Sequence, residues 1–242
     1  MKDQELLKYL RRTVQKYSLI RENDRIAVGV SGGKDSLTLL YALARFRDFS
    51  SVSYSLAAIA IDPGFSMDYS AVRAFSESLD VTFFLEKTDI YEIVFGARRE
   101  KHPCALCANM RRGALVNAAA REGMNKLALG HHRDDMLSTL LLNLVYEGRF
   151  YSYAPATYYE DRGITLIRPL LETPEALIKA VVREQALPVL ENLCPADRET
   201  RREDMNALLS ELSRRYPGLR DRLFHAVESS DIPDWKTLFK EG

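Results

Sequence analysis

The sequence is short of cysteine, of unbalanced charge and of long apolar runs, and each shortage excludes a class of protein. Its 242 residues include three cysteines, an odd number that does not fit a paired disulfide framework and favours a reducing compartment. Lysine plus arginine and aspartate plus glutamate number 34 each, so the net charge indicates no partner. No run approaches the ~20 apolar residues of a membrane span, and the amino terminus begins an amphipathic pattern, unlike a signal peptide. We therefore expect a cytoplasmic protein with no membrane partner.

Strand-like and helical patterns alternate along the chain. Apolar runs typical of strands lie at 26–30, 56–62, 81–85, 126–129, 164–170 and 188–190, and helical spacing of apolar residues lies at 3–18, 36–47, 68–79, 105–122, 134–146, 174–185 and 199–227. The stretch between 148 and 161 has the composition of a loop. Because the first strands are apolar throughout and alternate with helices, the pattern predicts an α/β fold, a parallel, doubly wound sheet of about five strands with helices on both faces.

The same patterns divide the chain into three regions. Residues 1–22 form an amphipathic amino-terminal helix, residues 23–197 form the α/β domain, and residues 198–242 form a small helical carboxyl-terminal extension. Hydrophobic residues at 46% and charged residues at 28% are ordinary for a globular protein, so none of the regions is expected to be a disordered linker.

A short segment with two glycines follows the first predicted strand and precedes a predicted helix. We call it the glycine loop; its residues are Ser31, Gly32, Gly33, Lys34, Asp35 and Ser36. Glycines without Cβ atoms allow backbone N–H groups to converge on an anion, and the following helix adds the positive end of its dipole. The spacing excludes the Walker phosphate loop and the dinucleotide fingerprint. For two glycines alone, a simple turn between strand and helix is the alternative.

The complete six-residue string resembles the signature of the PP-loop ATPases. That resemblance implies a protein that binds ATP by its pyrophosphate and releases AMP and pyrophosphate. It also implies that the whole glycine loop contacts the nucleotide and that Lys34 and Asp35 are catalytic. Ligands of parallel sheets bind beyond the carboxyl ends of the strands, where Asp62 and Gly130 also lie, so we add these two residues to the predicted nucleotide site.

A second motif, Gly-His-His-Arg-Asp-Asp at 130–135, also lies between a predicted strand and a predicted helix. Aspartates at the start of a helix are ordinary caps, but beside a triphosphate they can hold Mg²⁺. The string resembles the second signature of PP-loop enzymes that modify tRNA, which implies that His131 binds nucleotide and that Asp134 and Asp135 are catalytic. The sequence leaves open which aspartate binds Mg²⁺. Ser138-Thr139 stands where lysidine synthetases often have Glu-Thr, which counts against lysidine synthesis.

The three cysteines are a Cys-x-x-Cys pair, Cys104 and Cys107, and the distant Cys194. By residue type alone the pair fits a redox centre or part of a zinc site, with His102 as an available fourth ligand. Cys194 alone also fits a small buried apolar residue. A zinc site with four cysteines is excluded by the count.

The neighbours of the cysteines narrow these alternatives. Residues 101–107 with 110–113, and residues 191–195, resemble the segments that carry the cluster of tRNA 2-thiocytidine synthetases. That resemblance implies that Cys104, Cys107 and Cys194 bind a [4Fe–4S] cluster in which one iron has no cysteine ligand. An iron without a cysteine ligand can hold sulfide, so the cluster is expected to take part in the chemistry.

The resemblance covers most of residues 23–197 and implies an ATP-dependent sulfurtransferase that acts on tRNA. A base carbonyl, with an anticodon-loop cytidine as the expected target, attacks the α-phosphate of ATP, and sulfur then replaces the adenylated oxygen. The implied cofactors are ATP, Mg²⁺ and the [4Fe–4S] cluster. The implied partners are tRNA, a sulfide or persulfide donor such as a cysteine desulfurase, and a second copy of the chain in a homodimer.

Two groups of side chains are candidates for contact with tRNA. Basic residues near the cysteine pair in sequence are Arg98, Arg99, Lys101, Arg111, Arg112 and Arg121, and tyrosines of the predicted loop are Tyr151, Tyr153, Tyr158 and Tyr159. Aromatic rings can stack on bases that leave their helix. The alternatives are a solvated charged face for the first group and internal packing of the loop for the second.

Two other functions fit parts of the pattern. One is a PP-loop enzyme that joins an amine to an activated carbonyl, as lysidine synthetase does, or that thiolates another nucleoside or a small molecule. The other is a non-catalytic ATP-binding module with a structural metal. The three cysteines disfavour the amine reaction, and structural zinc normally has all four positions filled by protein ligands. Removal of sulfur from a thiolated base would leave the ATP motif without a task.

Overall fold

The computed structural model describes residues 1–64, 67–97, 103–191 and 201–230, together with Ile232 and Trp235. Its helices are α1 (Lys2–Lys16), α2 (Lys34–Arg47), α3 (Ser70–Ser78), α4 (Pro103–Arg121), α5 (Arg133–Leu142), α6 (Glu175–Glu184), α7 (Arg201–Arg215) and α8 (Leu219–Glu228). Its strands are β1 (Asp24–Gly29), β2 (Tyr54–Asp62), β3 (Thr82–Lys87), β4 (Lys126–Ala128), β5 (Ala156–Tyr159) and β6 (Ile164–Ile167). Short π-helical turns follow at Glu92–Ala97 and Asn143–Glu147.

The strands form one sheet in the order β3-β2-β1-β4-β6-β5. Neighbouring strands are parallel except β5 and β6, which are antiparallel. Ile26 of β1 is aligned with Leu56 of β2 on one side and with Lys126 of β4 on the other. After β1 the chain therefore adds β2 and β3 on one side of β1, and it later returns to add β4 on the other side. The crevice beyond the carboxyl ends of β1 and β4 is the expected position of a ligand.

Both faces of the sheet are covered, and each has its own apolar cluster. Ile26 and Val28 of β1 point to the side of α2 and pack with Leu37 and Leu40. Ala27, between them, points to the opposite side and belongs to the cluster that contains α4. This alternation along one strand is the geometry of a pleated strand buried on both faces. The predicted parallel, doubly wound α/β fold is confirmed.

Two segments differ from the prediction. Residues 156–159, expected to be loop, form the edge strand β5, in which Ala156 pairs with Ile167. Four residues are too few to show a period of two clearly, so the pattern did not reveal this strand. Residues 188–190, expected to be a strand, are irregular, and the Leu190 N–H donates to the Gly32 carbonyl at 3.0 Å. This apolar run packs on the glycine loop instead of pairing in the sheet.

The helices at the two ends of the chain pack against the α/β domain. α1 buries Leu6 and Leu10 completely, and it is held by Glu172, which is 4% exposed and accepts from Arg12 Nε at 2.5 Å and Lys16 Nζ at 3.1 Å. α7 and α8 pack on α5. The predicted boundary at 197–198 lies outside the described residues, and the three-region division stays a prediction. In the described part of the chain, no helix is both long and apolar enough to cross a membrane.

Candidate nucleotide and cluster site

The glycine loop is closed by its own serines. Ser36 Oγ accepts from the Ser31 N–H at 3.1 Å and donates to the Gly33 carbonyl at 2.9 Å. Gly33 N–H in turn donates to Ser31 Oγ at 3.3 Å. Gly32 has a φ of +82°, in the left-handed region that favours glycine. The Ser36 hydroxyl thus holds the loop in shape at the first turn of α2, and its predicted contact with the nucleotide stays a prediction.

Lys34 lies at the start of α2 between two carboxylates. Its Nζ donates to Asp35 Oδ1 and Oδ2 at 2.9 and 2.8 Å and lies 3.2 Å from Glu175 Oε1. Burial acts to lower the pKa of Lys34, but Asp35 and Glu175 outweigh it and leave the pKa above its ordinary value. Burial likewise acts to raise the pKa of Glu175, which the hydrogen bond from Lys179 and the charge of Lys34 bring below its usual value. The ammonium group is therefore charged and held at the mouth of the glycine loop.

Gly130 brings the second motif against the glycine loop. A Cβ atom built on Gly130 would lie 2.8 Å from the carbonyl carbon of Asp35, 2.9 Å from its oxygen and 3.0 Å from the Ser36 nitrogen. Real Cβ atoms essentially never come within 3.0 Å of such atoms, and backbone cannot rotate away as a side chain can. Only a residue without a side chain allows this approach, so Gly130 serves the packing of the two motifs.

His132 is the amino-terminal cap of α5 and contacts both motifs. Its Nδ1 accepts from the Asp135 N–H at 3.4 Å, and the His132 N–H donates to Asp135 Oδ2 at 3.2 Å, which completes a capping box. On the other side of the ring, Nε2 lies 3.5 Å from Asp35 Oδ1 and 3.4 Å from Asp135 Oδ2. The sequence pattern predicts His131, and not His132, as a nucleotide ligand; the signal for His132 was a polar residue immediately before Arg-Asp-Asp at a helix start.

The two aspartates of the second motif have different surroundings. Asp134 is 7% exposed, accepts from the Glu175 N–H at 2.8 Å and forms an ion pair with Arg220 of α8. Asp134 therefore accepts from the first N–H group of α6 and links α5 to α8 through its ion pair with Arg220. Asp135 is more exposed; besides His132, it has Arg202 of α7 at 3.8 Å from its Oδ1. Glu175, Arg202 and Arg220 were missed by sequence reasoning because their partners are distant in the chain.

The described cysteines lie at the amino-terminal end of α4. Cys104 is exposed and Cys107 is partly buried, and their spacing places them on neighbouring positions of one helix face. α4 leads into β4, so its amino terminus lies at the carboxyl edge of the sheet. Leu115 of the same helix packs on Gly29 at the end of β1, about 12 Å along the axis from Cys107. Cys194 and His102 lie outside the described residues, within which no group of three His, Cys, Asp or Glu side chains is placed to hold a metal.

Comparison with known proteins gives the family. A family model described as a PP-loop domain matches residues 3–211. The chain is 41% identical over 224 residues to a tRNA-cytidine(32) 2-sulfurtransferase of Geobacter sulfurreducens, an alignment that covers 89% of this chain and 86% of that protein. A protein of the same name from Pelobacter propionicus is 39% identical over 239 residues, with 95% and 88% covered. This chain belongs to the tRNA-cytidine 2-sulfurtransferase family of PP-loop proteins. The resemblance stated from its motifs is confirmed.

Solved structures agree with this PP-loop fold. The U34-tRNA thiolase NcsA from Methanococcus maripaludis, solved with its [4Fe-4S] cluster, superimposes with a TM-score of 0.78 at 23% identity and covers 99% of this chain and 80% of its own. An NH₃-dependent NAD synthetase from Campylobacter jejuni gives a TM-score of 0.52 at 15% identity, with 99% and 92% covered. At these identities the similarity shows the fold alone.

In this PP-loop protein, His131 packs away from the glycine loop. The centre of its ring lies 4.9 Å from the centre of the Tyr153 ring. The Tyr153 ring also contacts the guanidinium of Arg168, at 4.7 Å. Burial, followed by the charges of Arg168 and Arg202, lowers the pKa of His131 to about 3. His131 is therefore neutral over the physiological range, and its assignment to the nucleotide stays a prediction.

Lowering the pH is expected to destabilise the PP-loop protein through His131. The unfolded histidine titrates near 6.5 and the folded one near 3, so the unfolded chain binds more protons between these values. Stability that is complete above pH 6.5 falls as the pH drops, by up to about 1.4 kcal/mol per pH unit. Urea unfolding of wild type and His131→Gln between about pH 7 and pH 5 measures this, with His225→Gln at an exposed helix position as control. Equal pH dependence of the unfolding free energy in wild type and His131→Gln would contradict a lowered pKa of His131 in the folded protein.

Asp62 ends β2 at the same edge of the sheet. Its Oδ1 accepts from the Gly64 N–H at 2.9 Å, which orders the turn after the strand. Three residues earlier, the Ile59 carbonyl accepts from the Val30 N–H at the entrance to the glycine loop, at 2.8 Å. A cavity of about 510 Å³ opens beside this turn, between Gly64 and Phe95. Its size is that of an ordinary small-molecule site.

The basic residues and tyrosines predicted to contact tRNA do not all lie near the cysteine pair or on the surface. Arg98, Arg99 and Lys101 lie outside the described residues. Arg121 lies about 21 Å along α4 from Cys107 and pairs with Glu86 at 2.7 Å, so it is not near the cysteine pair. Tyr158 is 64% exposed on β5, whereas Tyr153 packs between His131 and Arg168.

Proposed function

We propose that this chain is a tRNA sulfurtransferase that uses ATP to replace the 2-oxygen of an anticodon-loop cytidine with sulfur. The observation that carries the proposal is the contact of the two nucleotide motifs at the carboxyl edge of the sheet, where Gly130 packs on Asp35. The chain spans most of relatives named tRNA-cytidine(32) 2-sulfurtransferase, so the site and the family point to the same reaction.

Activation of the base requires that negative charge on departing pyrophosphate be stabilised. The glycine loop offers backbone N–H groups at the start of α2, where the helix dipole is positive. Lys34 is charged at the same place and exchanges its carboxylate partners for phosphate oxygens. The base carbonyl attacks the α-phosphate, the α–β bond breaks, and pyrophosphate leaves from this cradle.

We assign magnesium to Asp35 and Asp135. Both carboxylates approach one imidazole nitrogen of His132 within 3.5 Å. Asp134 is less suited because the Glu175 N–H and Arg220 already occupy its oxygens. Two carboxylates fit the ordinary mode of Mg²⁺ binding, which adds substrate phosphates and water to a few protein oxygens. Magnesium would draw charge from the phosphates while these residues keep its position fixed.

The cysteines fit an iron–sulfur site by their chemistry and placement. Cys104 and Cys107 offer two thiolates one turn apart at a helix amino terminus, where negative charge is favoured. Leu190 is bonded to the glycine loop, and Cys194 follows it by four residues in the sequence. A [4Fe–4S] cluster held by Cys104, Cys107 and Cys194 would supply the sulfur that replaces the adenylated oxygen. We propose a sulfide or persulfide donor, such as a cysteine desulfurase, and a homodimer as the functional state.

We assign the nucleoside end of ATP to the cavity beside Asp62. This cavity lies on the β2 side of the glycine loop, whereas the second motif follows β4 on the other side of β1. Phosphates in the glycine loop would then have the nucleoside on one side and leave the other side open to the target base.

Thiolation of tRNA by the anaerobically purified protein tests the proposal. Unmodified tRNA, ATP, Mg²⁺ and sulfide are expected to yield 2-thiocytidine by nucleoside mass analysis, with one AMP released per base. The control is the same tRNA with its target cytidine replaced by uridine, which should release little AMP. Release of AMP without any thiolated nucleoside would contradict the proposal and favour another PP-loop reaction.

A further inference from the structure

The side chain of His132 is enclosed by carboxylates from both nucleotide motifs. It is 4% exposed. Nε2 lies 3.5 Å from Asp35 Oδ1 and 3.4 Å from Asp135 Oδ2, and Nδ1 lies 4.0 Å from Asp134 Oδ2. Lys34 Nζ donates to both oxygens of the same Asp35 carboxylate. His132 thus joins the second motif, of which it is part, to Asp35 of the glycine loop.

The hydrogen bonds of the cap decide which nitrogen of His132 can donate. Nδ1 accepts from the Asp135 N–H at 3.4 Å, so it carries no proton in that bond. The proton of a neutral imidazole is then on Nε2. Nε2 itself lies within 3.5 Å of Asp35 Oδ1 and Asp135 Oδ2, which belong to loops about 100 residues apart in the chain.

We infer that His132 is a positioning residue whose Nε2 lies between Asp35 and Asp135 and holds the two carboxylates as one pair for the magnesium–ATP complex. This inference rests on the proposed function, which assigns these carboxylates to magnesium. Without the histidine, the two loops would still be joined at Gly130, but their carboxylates would repel each other and separate. Outer contacts that orient metal-binding carboxylates typically account for 10–100-fold in affinity or activity.

Asparagine at position 132 separates this role from helix capping. Asparagine is among the best amino-terminal caps, so its side chain can still accept from the Asp135 N–H. It is shorter than histidine and cannot also reach the Asp35 carboxylate. His132→Asn should therefore keep α5 and lose the bridge, whereas His132→Ala loses both. The exposed His225 on α8 offers a matched control, His225→Asn.

Calorimetric binding of ATP with and without magnesium tests the inference on the anaerobically purified protein. For His132→Asn we expect a melting temperature near that of wild type, ATP affinity without magnesium within about twofold, and magnesium–ATP affinity at least tenfold weaker. His225→Asn should match wild type in all three. The inference fails if His132→Asn keeps the wild-type gain in affinity from magnesium, or if wild type itself shows no such gain. These readouts do not require thiolation, so a failure of the proposed tRNA reaction would be recognised separately.

Discussion

Replacement of Gly130 by alanine is expected to abolish ATP binding and to destabilise the protein by roughly 1–3 kcal/mol. The new methyl group would lie 2.8 Å from the Asp35 carbonyl carbon and 3.0 Å from the Ser36 nitrogen. These are backbone atoms of the first turn of α2, so relief requires that the helix move away from the second motif. That movement would separate Asp35 from His132, which now lies 3.5 Å from Asp35 and 3.4 Å from Asp135.

Isothermal titration with ATP and magnesium, together with urea unfolding, measures both parts of this expectation. Gly113→Ala is the matched control, since Gly113 lies inside α4 and a Cβ there would meet no atom within 4 Å. Alanine is favoured over glycine inside a helix, so this control should be more stable by up to about 1 kcal/mol. If Gly130→Ala bound ATP as wild type does, the two motifs would not need their close contact.

Replacement of Cys107 by serine is expected to remove all detectable thiolation while ATP binding is kept. Serine preserves the size of the side chain but does not supply the thiolate that an iron–sulfur cluster requires. ATP binding is kept because Cys107 lies on α4, which is remote in sequence from the glycine loop. Cys107 is partly buried against apolar side chains that include Val94 and Val116, so the only structural effect expected is a modest loss of stability. The variant should be colourless and contain far less than four irons per chain.

Iron and labile sulfide analysis, ATP titration and nucleoside mass analysis distinguish this result from general unfolding. Ala105→Ser, in the same turn of α4 and exposed, is the matched control and should keep both colour and activity. A Cys107→Ser protein that still thiolated tRNA would show that the cysteine pair does not hold the sulfur-delivering group.

The parts of the fold and site that the sequence predicts are those that depend on neighbouring residues. The apolar runs at 26–30 and 56–62 identify β1 and β2, and the glycine loop lies between β1 and α2 as the sequence predicts. These elements are local because a strand, a turn and a helix start are each decided by a few adjacent residues. The edge strand β5 was missed because its four residues depend on pairing with β6.

The choice between His131 and His132 shows where such local reasoning ends. Both residues lie in one motif, but the start of α5 turns His132 toward Asp35 and leaves His131 against Tyr153. Glu175 beside Lys34 is a similar case, since the two residues are brought together by the packing of α6 on α2. Neither contact, His132 with Asp35 or Glu175 with Lys34, can be predicted from the order of the residues in the sequence.

The sequence by itself determined the fold class, the family and the residue types needed to bind ATP and an iron–sulfur cluster. It did so because backbone conformation and motif chemistry are set over short stretches of chain. Only the tertiary structure decided which histidine lies beside both Asp35 and Asp135 and which aspartate is occupied by Arg220. The reason is physical: these contacts join residues that are distant in sequence, and they form only when strand order and helix packing bring separate loops to the same edge of the sheet.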